Sequence, residues 1–232
     1  MVVKKIVLGL LKIPLVRGFA KKSYYSLRCE LNKFSGAVDL NIDIPEITPI
    51  RVRKSNLELK RINILIPALS IEHVFGGIST ALDFFNHLRE GYPNARIILT
   101  DESSFSGNKN VDYESWNVVS IDESDVPGLT IVPAGDRFNK ELPICTGDRF
   151  IATAWWTAMI ASELQSEQAI IFNRLPSRYV YLIQDFEPGF YPWSTRYGLA
   201  DSTYRCPEKF VGVINTSILK EFFDFEGYSF DT

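Results

Sequence analysis

Residues 181–194 (YLIQDFEPGFYPWS) end an apolar run in a dense group of polar and aromatic side chains. Gln184, Asp185 and Glu187 stand together, then Pro188 and Gly189, then Phe190, Tyr191 and Trp193. A carbohydrate site needs such a set: carboxylates and an amide bond hydroxyls, while rings cover the apolar C–H face of a sugar. Two acids two residues apart also suit acid/base work, with one of them held protonated by burial. Asp185 and Glu187 are therefore catalytic candidates, although no single base is identified. The alternative is an ordered loop in which Asp185 caps a turn and the rings belong to the core.

Other residues of the same kind are scattered along the chain. Gly76 and Gly77 close the segment SIEHVFGGIST, where backbone N–H groups at a helix start attract an anion such as a diphosphate. The spacing is not G-x-G-x-x-G, so the dinucleotide fingerprint is absent, and a tight turn is the competing reading. His73, three residues earlier, is a third catalytic candidate or a sugar and phosphate ligand; a capping role is the alternative. Trp155 and Trp156 open a helix, with one facing a cleft and the other the core, or both in the core as the alternative. Asp101 follows the run ARIILT and either bonds a hydroxyl or caps a turn. His87, on a helix, reads as structural.

Positioning these groups requires a layered scaffold. Apolar runs of strand length fall at 61–69, 95–100, 117–121, 129–133, 150–153, 179–184 and 210–214. Helical period appears between them: Ile78, Ala81, Leu82, Phe85 and Leu88 share one face. Further helices are expected over 154–166, near 194–204 and near 216–223. Apolar strands alternating with helices imply a parallel sheet covered on both faces, a Rossmann-like α/β domain. Ligands of such sheets sit beyond the carboxyl ends of the strands, where the candidate loops lie.

Charge divides the 232 residues unevenly. Residues 1–61 carry 13 Lys/Arg against 5 Asp/Glu, and the remainder carries 12 against 23. The acidic body argues against nucleic acid as a partner. Residues 1–60 read as a basic amphipathic segment followed by an extended arm, with an edge strand in VDLNIDI, and residues 61–232 as the α/β domain. The longest apolar run of the head, residues 6–11, is far short of the roughly 20 residues of a membrane span. Residues 1–22 suit peripheral contact with an anionic membrane surface or docking on protein. Cys29, Cys145 and Cys206 lack C-x-x-C spacing, and only two histidines are present, so neither a disulfide scaffold nor a metal site is expected. A G-x-S-x-G nucleophile elbow is missing, which weakens a hydrolase reading.

Three stretches carry a resemblance: RINILIPALSIEHVFGGISTALDFFNHL, the ARIILTD strand end, and YLIQDFEPGFYPWSTRYGLADSTY. They resemble the N-terminal half of WsaF-type rhamnosyltransferases, GT-B glycosyltransferases of bacterial surface-polysaccharide assembly, over roughly residues 60–225. The resemblance implies the acceptor-side domain of a two-domain enzyme. It also implies a nucleotide-sugar donor such as dTDP-rhamnose, a glycan or lipid-linked glycan acceptor, and no metal. Gly76 and Gly77 would face the donor diphosphate. Gln184, Asp185, Glu187 and Pro188 would line the cleft near the reacting sugar. The residue types alone add Asp101, Trp155, Trp156, Tyr191 and Trp193 as candidates for contacts with the acceptor. The expected location is cytoplasmic, peripheral at the inner membrane face. The sequence ends at Asp231 and Thr232, and a donor-binding domain needs about 150 residues more. The expectation is that this lobe is absent or a separate subunit, and that the isolated chain transfers no sugar. A non-catalytic carbohydrate-binding module or scaffold is the alternative.

Overall fold

The computed structural model describes residues 44–69, 76–105, 113 and 115–230. His73, the basic head 1–22 and the strand expected in residues 38–43 lie outside the described residues. The compact unit that holds the sheet begins at Ile44.

Seven strands form one parallel sheet: β2 (Lys60–Ile66), β3 (Asn94–Leu99), β4 (Asn117–Val118), β5 (Leu129–Pro133), β7 (Gly147–Ala152), β8 (Tyr179–Ile183) and β9 (Phe210–Ile214). Their spatial order is β4-β5-β3-β2-β7-β8-β9. From β5 to β9 this is the doubly wound order of dinucleotide-binding folds, with β4 added at one edge. The helices are α1 (Gly76–Arg89), α2 (Trp155–Ile171), α3 (Thr195–Tyr204) and α4 (Ser217–Phe225). The expected Rossmann-like α/β layout is thus present.

The apolar runs form central strands because both of their faces are covered. Ile62, Ile64 and Ile66 of β2 join Ile97 and Leu99 of β3 in one core layer, with Leu82 and Phe85 of α1. The intervening Leu65 and Ile98 point to the opposite layer, with Phe150, Ala152, Tyr181 and Phe223. This alternation is the period-two geometry of a strand. In α1, Ala81, Leu82 and Phe85 are buried while Leu88 is exposed, so the helix turns its last apolar residue outward.

Three elements differ from the sequence expectation. The run at 117–121 makes only the two-residue edge strand β4, with both residues exposed. β7 starts at Gly147, three residues before its apolar run, because a Cβ there would come 2.3 Å from the Leu59 carbonyl oxygen and only glycine allows that approach. Residues 44–60 include a strand of the compact unit: β1 (Arg51–Lys54) pairs in parallel with β6 (Glu141–Ile144).

Polar side chains secure the fold at two levels. Near the amino ends of the strands, Arg61 donates to both oxygens of Asp148 (2.8 and 3.0 Å) and to Asp125 (2.6 Å). Arg96 approaches Asp148 at 3.6 Å and donates to Asn63 Oδ1 at 2.6 Å. Burial and the neighbouring Arg61 charge hold the Arg96 guanidinium down at about 10. At the other level, Arg137 donates to the carbonyls of Thr100 (2.6 Å), Thr48 (2.7 Å) and Glu46 (2.9 Å). That single guanidinium fastens residues 46–48 to the carboxyl end of β3.

Candidate sugar-binding crevice

The strand order reverses at β2. The chain runs outward from β2 to β3 and later returns to place β7 on the other side of β2. Ligands of doubly wound sheets bind beyond the carboxyl ends of the strands at this point. The segments after β2, β3, β7 and β8 all emerge on that rim.

Gly77 and Gln184 meet there. A Cβ built on Gly77 would lie 3.6 Å from Gln184 Oε1, whereas Gly76 has open space around it. The glycine turn and the carboxylate loop therefore share one rim, and the first turn of α1 is accessible.

Glu187 is drawn inward from the β8 loop. Its Oε2 accepts the Trp155 N–H at 2.5 Å and lies 3.4 Å from the Tyr181 hydroxyl. α2 begins after Ala154, which has no capping side chain, so the loop after β8 caps the helix after β7. Thr157 adds to the cap by accepting the N–H groups of Thr153 and Ala154 (2.9 and 2.8 Å). Burial pushes the Glu187 carboxyl up to about 7. The bonds from Trp155 and Tyr181 oppose that push, and the nearby Asp185 adds to it. Burial likewise raises the Tyr181 phenol well above its ordinary range.

Asp185 is different, being exposed, with Oδ1 accepting only its neighbour's N–H, from Phe186 at 2.7 Å. Pro188 is buried in a short 3-10 turn, Glu187–Phe190, that ends the loop. Gln184 is half-buried beside Gly77.

The tryptophan pair divides between core and rim. Trp155 is fully buried, and its indole N–H donates to the Tyr191 hydroxyl at 3.0 Å. It supports the loop from beneath and presents no face to a ligand. Trp156 is half-buried. Its indole N–H is buried and has no hydrogen-bond partner among the described residues. Burial raises the Asp101 carboxyl; the Thr100 hydroxyl, Arg137 and Trp156 pull it back. Trp193 stands apart, 88% exposed, with its ring 4.9 Å from that of Tyr197. His87 is structural, its Nδ1 2.7 Å from the Asp83 carbonyl oxygen.

Several contributors were not foreseen. Tyr181 looks like ordinary strand core in the sequence, yet its hydroxyl reaches Glu187. Glu46 and Arg196, 150 residues apart, form an ion pair at 2.8 Å. Arg137 donates to the carbonyls of both Glu46 and Thr100, so Glu46 lies beside the residue that precedes Asp101. The only local signal was an acid between two prolines in IPEITP.

Among the described residues, no three His, Cys, Asp or Glu side chains are grouped to hold a metal ion. None of the described helices is long and apolar enough to cross a membrane.

A parallel sheet in this order, with polar and aromatic side chains gathered at its reversal point, defines a Rossmann-like α/β domain. The family model described as WsaF, N-terminal domain, matches residues 61–217, about two thirds of the chain. The chain belongs to the WsaF N-terminal domain family, which gives it a glycosyltransferase-related role. No curated protein matches it significantly.

Proposed function

We propose that this domain holds the acceptor in transfer of a sugar, rhamnose in the family it belongs to, from a nucleotide diphosphate to a surface glycan. In that reaction an acceptor hydroxyl loses its proton and forms the new glycosidic C–O bond. The bond from the donor sugar to the nucleotide diphosphate breaks, and the diphosphate leaves. The observation that carries the reading is the closeness of Gln184 to Gly77, within 3.6 Å of where a Cβ on that glycine would stand, at the strand reversal. It brings an anion-attracting helix start and a hydroxyl-bonding loop into one hollow.

Within that hollow the two acids take different parts. Asp185, exposed and holding only one local bond, contacts acceptor hydroxyls. Glu187 is a positioning residue, because its inward oxygen is occupied by the Trp155 N–H and the Tyr181 hydroxyl. Gln184 shares the acceptor with Asp185, and the N–H groups at Gly76 and Gly77 face the donor diphosphate. A basic head at residues 1–22 suits a lipid-linked acceptor at the inner membrane face.

The test is calorimetric titration of the full chain with methyl α-rhamnoside and α-linked rhamnose oligosaccharides. Asp185→Asn should weaken binding of the monosaccharide roughly tenfold, the loss of one charge-assisted hydrogen bond, with an unchanged melting temperature. Unaltered affinity would overturn this assignment.

A further inference from the structure

We propose that the acceptor site continues outward from the crevice to a second sugar position, built by the Glu46–Arg196 pair and the Trp193–Tyr197 rings. It rests on the reading of the crevice as an acceptor site.

Trp193 immediately precedes Ser194, the N-cap of α3, and Tyr197 lies in the helix's first turn. The Ser194 hydroxyl accepts the Tyr197 N–H at 3.3 Å, which fixes the turn that carries both rings. The rings meet at 47° with centroids 4.9 Å apart, forming an open wedge. A residue in the Trp193 position often packs on the fourth helical residue as a hydrophobic staple. Here that residue is Gly198, so the exposed indole has no such role in the fold.

Arg196 stands between the two rings in sequence and pairs with Glu46. The side chains of Arg196 and Glu46 are 39% and 29% exposed, so part of the pair stays open to solvent. A donor and an acceptor joined in one ion pair match the hydroxyls of a pyranose, which accept and donate together. The pair is neutral overall, which suits an uncharged sugar better than an anion. The aromatic wedge supplies the cover for the apolar ring face.

The position is continuous with the crevice. Arg137 joins the carbonyls of Glu46 and Thr100, which brings the turn at Glu46 beside Asp101. Ile47, Trp156, Tyr191 and Leu199 pack in one cluster around Trp155, so the turn at Glu46, the start of α2 and the start of α3 form one surface. A glycan bound at Asp185 with its next unit on this surface would use both sites.

The prediction is length-dependent affinity. In titrations of the full chain, an α-linked rhamnose trisaccharide should bind more tightly than methyl α-rhamnoside. Trp193→Ala should weaken the trisaccharide roughly fivefold, the scale of one aromatic contact, and leave the monosaccharide unchanged. Glu46→Gln, which keeps the shape but upsets the donor and acceptor balance, should act in the same direction. Equal affinity for both acceptors, or equal loss at both lengths in Trp193→Ala, overturns the outer position and leaves the crevice reading standing. An effect of Trp193→Ala on the trisaccharide alone, with none of Asp185→Asn on either acceptor, keeps the outer position and overturns the crevice assignment. If Trp193→Ala lowers co-sedimentation with anionic phospholipid vesicles and spares glycan binding, the patch is a membrane contact and the proposal fails.

Discussion

Replacing Glu187 with glutamine should change how the stability of this domain depends on pH. The Glu187 carboxyl keeps its proton to about pH 7 in the folded chain, against an ordinary value of 4.5. Between those values the folded form binds a proton that the unfolded form has released. Stability is therefore greatest below pH 4.5 and falls as pH rises through 7. A displacement of that size corresponds to about 3 kcal/mol. Because the residue is only half-buried overall, about 2 kcal/mol is the expected effect after discounting for solvent. Glutamine retains an oxygen to accept the Trp155 N–H and carries no charge to desolvate. Glu187→Gln should match the parent near pH 5 and exceed it by about 2 kcal/mol near pH 8.5, or roughly 4–8 °C in melting temperature. Urea unfolding of both proteins from pH 5 to 8.5 reads the difference directly. Two stability curves that run parallel across that range would show that Glu187 does not titrate there, and the account of it as a buried helix brace would be wrong.

Two glycines separate fold from site. Gly147→Ala forces a Cβ to 2.3 Å from the Leu59 oxygen and should cost about 3 kcal/mol or more on chemical unfolding. Gly77→Ala adds a methyl at ordinary contact distance from Gln184 and should leave the melting temperature within about 1 °C; Gly77→Val should displace Gln184 and lower glycan affinity in calorimetry. Asp148→Asn breaks the buried pairing with Arg61 and should destabilise by about 3–5 kcal/mol in urea, with no change in ligand affinity where the fold persists.

What could be read from the residues follows from how local each signal is. Runs such as Ile62–Ile66 announce strands because they must be apolar on both sides to lie at the centre of a sheet. The run YLIQDFEPGF announces a strand end because its polar density falls where a parallel sheet opens. The family resemblance was legible in the same stretches. Elements built from charge were hidden. β1 reads RVRK, with its two end residues exposed and its two middle ones half-buried, so nothing in its pattern marks a strand. The pairing of Arg61 with Asp148 spans 87 residues and becomes visible only once β2 and β7 are neighbours. The Glu46–Arg196 pair is hidden for the same reason: both residues look like solvated surface until folding joins them. Trp155 and Trp156 are alike in sequence, and only the helix direction sends one to the core and the other to the rim.

The reversal of strand order also bears on how the chain must emerge during synthesis. Strands β2 to β5 can assemble as soon as they leave the ribosome, but the other flank of β2 finds its neighbour only when β7 appears. Until then a central strand of the sheet carries a bare edge of N–H and C=O groups, and Arg61 lacks Asp148. A half-made sheet of this kind is a template for wrong pairing. Expression at low temperature, or with a chaperone that shields nascent strands, should raise the yield of folded protein more than any change to the loops at the carboxyl ends of the strands.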